Sequence, residues 1–439
     1  MEKNLTTGSV LKNIVLFSLP YLLSYFLQTL YGMADLFIIG QFESVAGTTA
    51  VSVGSQVMHM ITVMIVGLAM GSTVSIAKAV GARDENKVAV SVGNTVTLFL
   101  GLSVIVAAVL LILRRSIVGV MSTPQEAAEG TVAYLTVCFI GIPLITAYNI
   151  ISSVLRGMGD SKTPMYFIAV ACVANIILDY VFIGALGMGA TGAALGTTLS
   201  QAISVAVALP VLKKNCLKAD FKPRRGVMGE LLKTGIPISA QDGLIQIAFI
   251  LITVIANRRG LNDAAAVGIV EKIICFVFLV PSSMMSAVSA LGAQNIGAGE
   301  NKRAEQTLGY ALIITAAFGI IMSVIMQFFA EDALSLFTND GGEVIVSGGQ
   351  YLRGYVWDCI FAGIHFSFSG YFCACGKSYL SFLHNITAIV LVRVPGAYLM
   401  SKMFPQTLFP MGLATAAGSL LSAIICVIAF FIIKPKRPD

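Results

Sequence analysis

Four polar side chains lie inside long apolar runs of this sequence, where they are able to bind a cation. Asp35 lies in the first run, Asn175 and Asp179 are four residues apart in the fifth, and Thr197 lies in the sixth. Spacing of four places two side chains on one helix face. Carboxylate, amide and hydroxyl oxygens suit a small hard cation such as Na⁺. Two desolvated carboxylates held close together also bind protons more readily than they do in water.

The alternative is that these side chains are only hydrogen-bonded within a helix bundle. For Asn175 and Thr197 taken alone, that alternative stays open. An ionised side chain at the bilayer centre costs about 2.5–3.5 kcal/mol by insertion scales, so it usually faces a cavity or a partner. Two carboxylates together therefore favour a coupling site for H⁺ or Na⁺ at Asp35, Asn175, Asp179 and Thr197.

Four ionisable residues also lie in apolar runs of the second half. They are Asp242, Glu271, Asp358 and Arg393. A buried guanidinium is costly unless it is paired, so Glu271 and Asp358 are the expected partners of Arg393. Structural ion pairing is the first interpretation. A second coupling site or a contact for cationic substrate is the alternative. Asp242, five residues after Pro237, is expected to line a cavity.

Membrane helices must hold these residues. The chain has 439 residues, 57% hydrophobic and 11% charged, whereas a soluble domain has about a quarter of its residues charged. Its mean hydropathy is +0.87. Each apolar run exceeds the ~20 residues that cross a bilayer as a helix. The runs predict twelve spans, at 12–39, 47–77, 88–113, 127–154, 164–184, 190–212, 229–256, 263–292, 304–329, 344–373, 379–401 and 411–433.

The basic residues indicate the orientation of these spans. Of the 28 Lys and Arg, 20 lie in the terminal segments and the loops on the same side as the termini, against 5 in the opposite loops. By the positive-inside rule both termini are cytoplasmic. Because the net charge of +6 follows this alternation, it gives no case for nucleic-acid binding.

The sequence repeats itself weakly at an offset near 216, which predicts two related lobes. Matched positions include Pro20 with Pro237, Gly93 with Gly309, Tyr134 with Tyr351, Gly159 with Gly376, and Ser161 with Ser378. The predicted organisation is an amino-terminal lobe at 1–212, a cytoplasmic linker at 213–230 and a carboxyl-terminal lobe at 231–439. With six spans in each half, both lobes share one orientation, as in transporters that move two repeats around a central site.

Several functional classes lack their signatures here. The sequence has no GxxxxGK[ST] phosphate loop, GxSxG or HExxH motif, so neither a nucleotide-driven motor nor an intramembrane hydrolase is indicated. The eight cysteines and three histidines are not at metal-binding spacing. We therefore expect no enzyme activity and no cofactor apart from a coupling ion.

The whole pattern resembles the multidrug and toxic compound extrusion (MATE) transporters, in particular their DinF-like prokaryotic branch. The resemblance rests on FSLP near the start, the repeated Gly-Ala loops, LRGMGDSKTP at Leu155–Pro164, and a spaced polar set. That set comprises Pro20, Gln28, Asp35, Tyr134, Asn175, Asp179 and Thr197.

The resemblance implies an all-α integral membrane protein with twelve transmembrane helices in two pseudo-symmetric six-helix lobes, the MATE/MOP-type fold. It also implies export of amphipathic, often cationic compounds in exchange for H⁺ or Na⁺. The residues matching Asp35, Asn175, Asp179 and Thr197 form the amino-lobe cation site. Pro20 matches a position associated with bending of the first helix, and Gln28 and Tyr134 match the neighbouring polar network and cavity wall.

The expected protein is a monomeric multi-pass exporter in the inner membrane of a prokaryote, with drug-like small molecules as its substrates. A flippase of lipid-linked saccharide is the alternative. It predicts a cavity rich in cationic side chains, whereas here the acids in the spans outnumber Arg393. A channel or a non-transporting receptor is a further alternative, disfavoured by the repeat with acids in both halves.

Overall fold

The computed structural model describes residues 4–215, 219–338 and 342–433. Over these ranges the chain forms helices joined by short connections and contains no strand. Residues 1–3 of the predicted amino-terminal lobe, 216–218 of the predicted linker, and 339–341 and 434–439 of the predicted carboxyl-terminal lobe lie outside the described residues. The predicted all-α membrane fold is confirmed.

Among the described residues, each half of the chain supplies six spans. The helices of the first half are Val10–Phe42, Val45–Gly81, Glu85–Val120, Gln125–Gly157, Lys162–Asp179 continued by a π-helical turn at Tyr180–Ala185, and Gly189–Asn215. Those of the second half are Arg225–Asn257, Leu261–Val277 with Leu279–Gly297, Asn301–Ser335, Glu343–Tyr355 with Asp358–Ala374, Tyr379–Ala388 with a π-helical turn at Ile389–Arg393 and Val394–Met403, and Phe409–Ile433.

The tenth span differs from its prediction as one helix over 344–373. It consists of Glu343–Tyr355 and Asp358–Ala374, which are only 13 and 17 residues long. For this reason, eleven rather than twelve helices within the described ranges are individually long and apolar enough to cross a bilayer. The interruption places Asp358 at the first position of a helix, inside the span.

Local sequence explains where the spans begin and end. Asp84 caps the third span, because its Oδ1 accepts the Lys87 N–H at 2.9 Å. The fourth and tenth spans are followed by Gly159 and Gly376, with φ of +90° and +74°. Only glycine adopts such angles without strain, so this repeated glycine reflects the same turn in both halves.

The described residues divide into two compact units. One includes Leu19–Gly235 and the other includes Thr6–Ser18 together with Ile236 onwards. The first and seventh spans therefore each contribute to both units. Each division falls just before a proline, Pro20 in one span and Pro237 in the other.

The start of the seventh span is fixed within the first unit by glycine packing. A Cβ at Gly71 would collide with the Leu231 carbonyl oxygen, and a Cβ at Gly235 would collide with the Leu68 carbonyl oxygen. The backbones of the second and seventh spans can approach this closely because both positions lack a side chain.

The segment before the seventh span is docked on the third span. Asn94, which is fully buried, accepts the Arg224 N–H at 2.7 Å and donates to the Lys222 carbonyl at 3.2 Å. Thr97 donates to the Phe221 carbonyl at 3.2 Å. Within the segment, the Lys222 N–H and the Arg224 guanidinium donate to Asp220 and lower the pKa of that carboxyl.

We predict that Asn94→Leu releases this segment, because the substitution removes both hydrogen bonds from Asn94 to it. At about 1 kcal/mol for each bond, the segment should open about thirtyfold more often. Limited trypsin digestion of the detergent-solubilised protein measures this as faster cleavage after Arg224. Asn149→Leu is the matched control, since Asn149 is a buried asparagine whose side chain donates to the Ile145 carbonyl within its own helix. Equal cleavage rates in the two variants would contradict the role of Asn94.

Candidate functional site

The four residues of the predicted coupling site lie together in the first unit. Asp35, Asn175 and Asp179 are buried, with 3%, 0% and 0% of their surface exposed. The Thr197 hydroxyl donates to Asp35 Oδ2 at 3.1 Å. Asp179 and Asn175 both interact with the Asp35 carboxyl. Residues 162 positions apart in the sequence thus meet in one cluster, which we call the amino-terminal cluster.

Three spans hold the amino-terminal cluster. Asp35 lies on the first span, Asn175 and Asp179 on the fifth, and Thr197 on the sixth. The α-helix of the fifth span ends at Asp179, and the π-helical turn Tyr180–Ala185 follows directly. Such turns are frequent at functional sites, because they locally change the direction of side chains.

Several buried polar atoms of the cluster have no hydrogen-bond partner among the described residues. They are Asp35 Oδ1, both carboxylate oxygens of Asp179, and Oδ1 and Nδ2 of Asn175. Buried polar atoms in proteins are almost always satisfied. A group of unsatisfied oxygens around two carboxylates therefore suits a cation that is not part of the chain.

The contact between the carboxylates of Asp35 and Asp179 has a direct chemical consequence. Two ionised carboxylates repel each other and neither carries a donor, so holding both in one buried cluster requires a proton or a cation. No lysine or arginine of the described chain interacts with either acid. A shared proton, or a small cation that also binds the Asn175 and Thr197 oxygens, would remove one of the two negative charges and with it the repulsion between the acids.

Gly196 makes room for Asp179. A Cβ added at Gly196 would overlap Asp179 Oδ1. In the sequence, Gly192 and Gly196 form a GxxxG pair, a spacing that lets helices approach. In the structure its absent side chain sets the position of a carboxylate.

Tyr134 lies beside the cluster. It is 2% exposed and close enough to both Asp35 and Asp179 to interact with them electrostatically. Sequence reasoning overlooked two further neighbours, Tyr31 and Cys138, which interact electrostatically with Asp35. Tyr31 is detectable in the sequence, because it lies one helical turn before Asp35. Cys138 is not, because its proximity depends on how two distant spans pack.

No hydrogen bond or ion pair within the described ranges joins Pro20 or Gln28 to the cluster. The helix Val10–Phe42 continues through Pro20, whose carbonyl accepts the Ser24 hydroxyl at 2.8 Å. About four helical turns separate Pro20 from Asp35. Gln28 is half-buried on the same span. Their predicted roles in helix bending and in the polar network stay predictions.

In the second unit, Arg393 pairs with Asp358. The guanidinium Nη2 is 3.2 Å from Asp358 Oδ2 and donates to the Tyr355 hydroxyl at 2.7 Å. Glu271, the other expected partner, instead accepts the Thr253 hydroxyl at 3.1 Å and interacts with Arg393 only electrostatically. We call these five residues the carboxyl-terminal cluster.

Asp242 stands apart from this arrangement. It is half-buried on the seventh span. Its surroundings contribute desolvation and no charged partner among the described residues. The sequence grouped Asp242 with the other second-half ionisable residues, but no hydrogen bond or ion pair within the described chain joins it to them.

Comparisons with known proteins give one consistent result. The MatE family profile matches residues 20–181 and 237–399. These segments begin 217 residues apart and end 218 apart, which confirms an internal repeat close to the predicted offset.

Similar proteins cover almost the whole chain. The probable multidrug resistance protein YpnP of Bacillus subtilis is 30% identical over 404 residues, covering 91% of this chain and 91% of that protein. The multidrug export protein MepA of Staphylococcus aureus is 24% identical, covering 97% of this chain and 93% of that protein. A crystal structure of MATE in the bent conformation is 25% identical, with a TM-score of 0.89 over 98% of this chain and 96% of that chain.

We predict that Thr197→Val lowers the melting temperature of the protein in detergent, because it removes the hydroxyl that donates to a buried carboxylate. A hydrogen bond to a charged group contributes about 1.5–3 kcal/mol. Thr198→Val is the matched control, since the Thr198 hydroxyl is buried and has no hydrogen-bond partner among the described residues. If both variants melt at the same temperature, the hydrogen bond from Thr197 to Asp35 contributes nothing to the stability of the protein.

Proposed function

Because this chain belongs to the MatE family of membrane transporters, we propose that it is a secondary active exporter of amphipathic, often cationic compounds. The family is one of transporters and not of enzymes. Two relatives that align over nine-tenths or more of the chain are described as a multidrug resistance protein and a multidrug export protein. These descriptions support drug-like small molecules as the exported substrates.

The driving ion, in our proposal, binds at the amino-terminal cluster. The observation that carries this assignment is the contact between two buried carboxylates with no basic partner within the described chain. The cluster offers oxygen ligands only, from Asp35, Asn175, Asp179 and Thr197, and this donor set fits H⁺ or Na⁺. Binding of either ion removes one of the two negative charges and lowers the cost of burying the pair.

The transport cycle then follows from unequal ion affinity in two states. In the outward-facing state Asp35 and Asp179 bind the ion, and neutralisation changes the packing of the first span around Pro20. Substrate leaves as the ion moves inward. An ion that bound both states with equal affinity would not shift the equilibrium between them. Alternating access therefore requires the amino-terminal cluster to have a different shape in each state.

The proposed setting is the inner membrane of a prokaryote, with both termini in the cytoplasm and a monomer as the working unit. The excess of Lys and Arg on the side of the termini supports this orientation. A flippase of lipid-linked saccharide is not favoured, because a pyrophosphate needs cationic side chains and the amino-terminal cluster is acidic.

We predict that Asp35→Asn and Asp179→Asn each reduce gradient-driven export to the level of protein-free vesicles, because asparagine cannot exchange a proton and weakens a cation site. The measurement is efflux of a cationic dye in vesicles under an imposed pH gradient and, separately, an imposed Na⁺ gradient. Melting temperature in detergent serves as the control for folding. Wild-type efflux in either variant would refute the coupling site, and the absence of ion-driven dye movement in the wild type would refute the exporter itself.

A second variant tests geometry while both acids are kept. We predict that Gly196→Ala lowers dye efflux at least about tenfold, because its methyl group displaces the Asp179 carboxyl from the cluster. Gly101→Ala on the third span is the control, since no atom lies within 4 Å of a Cβ built there. Efflux from Gly196→Ala at the rate of Gly101→Ala would show that the position of Asp179 is unimportant.

A further inference from the structure

The fifth span of each half has the same construction. These helices begin at Lys162 and at Tyr379, 217 residues apart, the offset at which the two family matches begin. Each contains a π-helical turn, Tyr180–Ala185 in the first half and Ile389–Arg393 in the second. A buried charged residue adjoins each turn, Asp179 preceding the first and Arg393 ending the second.

The last span of each half makes room for that charged residue with a glycine. A Cβ at Gly196 would overlap Asp179 Oδ1, and a Cβ at Gly418 would lie 2.8 Å from the Arg393 Cβ. Both are shorter than real Cβ contacts. The two lobes therefore share a scaffold that places one charge from the fifth span against the sixth.

The charged residue that this scaffold positions has the opposite sign in the two lobes. In the amino-terminal cluster the charge from the fifth span is negative and faces a second carboxylate, Asp35. In the carboxyl-terminal cluster it is positive and lies 3.2 Å from Asp358, which is fully buried. One cluster lacks a counter-charge within the described chain, whereas the other includes one.

We propose that Arg393 is a tethered cation, which takes at Asp358 the position that an exchangeable ion takes at the acids of the amino-terminal cluster. Arg393 then determines how many coupling ions the transporter carries, because it prevents Asp358 from binding one. Replacing it by an uncharged residue should turn the carboxyl-terminal cluster into a second cation site. The part of this inference that concerns ion number rests on the proposed function, whereas the tethering itself does not.

The contacts of Arg393 explain why it stays in place. Its guanidinium donates to the Tyr355 hydroxyl at 2.7 Å and its Cζ lies 5.5 Å from the Phe249 ring centroid. Yet Asp358 Oδ1 and Arg393 Nε have no hydrogen-bond partner among the described residues. This incomplete satisfaction distinguishes the pair from a fully bonded structural bridge. The titratable groups that face Arg393 are Tyr351, Tyr355, Asp358, Glu271 and His365.

The test uses the full chain with Asp35→Asn and Asp179→Asn as background, which silences the amino-terminal cluster. Arg393→Met is added, and Arg393→Lys serves as the matched control that keeps a fixed charge. Two measurements at one pH, near 7.5, detect an exchangeable cation at residue 358. Mass spectrometry measures modification by dicyclohexylcarbodiimide, which reacts with protonated carboxyls in apolar surroundings. Melting temperature is measured with and without Na⁺, choline replacing it at equal ionic strength.

The expected result is that Arg393→Met makes Asp358 react at least about tenfold faster, or makes the melting temperature rise with Na⁺. Neither should happen in the background protein or in Arg393→Lys. Adding Asp358→Leu to Arg393→Met should remove both responses and restore stability, because a buried ion pair can be replaced by apolar side chains of similar volume. If Arg393→Met does not fold, Arg393→Gln is measured in the same way, since its amide can still donate to Tyr355.

Two outcomes would overturn the proposal. In one, Asp358 stays unreactive and Na⁺ has no effect after the charge at 393 is removed. In the other, Asp358 already reacts at the same rate in the background protein. These measurements involve no transport, and the variants carry no acid at 35 or 179. A negative result is therefore distinguishable from failure of the proposed antiport, which the vesicle assay tests at the amino-terminal cluster.

Discussion

Burying an ionised carboxylate in a low-dielectric interior costs several kcal/mol even after relaxation, and the functional design of this protein depends on how that cost is met. Asp35, Asp179 and Asp358 are each at most 3% exposed. Asp358 is neutralised by a guanidinium of the same chain. Within the described residues, Asp35 and Asp179 have each other and neutral oxygens but no basic partner. In the proposed mechanism, an ion from outside the chain lowers this cost at Asp35 and Asp179, and an ion gradient acts on the protein through that site.

Interruptions of regular helix coincide with these clusters. The fifth and eleventh spans contain π-helical turns beside Asp179 and at Arg393, and the tenth span breaks immediately before Asp358. Where the regular helical ladder is interrupted, side chains change direction and backbone groups become available. The chain thus keeps the hydrogen bonding that a bilayer demands over most of each span and departs from it where charge must be positioned.

Glycine has a second function besides shaping turns. At Gly71 and Gly235 it lets the second and seventh spans touch through their backbones, and at Gly196 and Gly418 it leaves space for a charged side chain of the neighbouring span. In the first role a methyl group would separate two helices. In the second it would displace the carboxylate or guanidinium, which is why Gly196→Ala and the removal of an acid address different properties of the same site.

The sequence by itself determined the membrane fold, the twelve spans and the twofold repeat, because length, hydropathy and the offset of Gly and Pro are properties of the linear chain. It also identified Asp35, Asn175, Asp179 and Thr197, since charged and polar residues are conspicuous in apolar runs. Only the tertiary structure decided that these four meet, that Arg393 pairs with Asp358 rather than Glu271, and that Asp242 stands apart. It also revealed Gly196 and Cys138 as neighbours of the acids and divided the tenth span. The reason is that contacts between spans depend on helix rotation and approach. A few degrees of rotation or one missing methyl group changes these contacts without altering the apolar pattern along the chain.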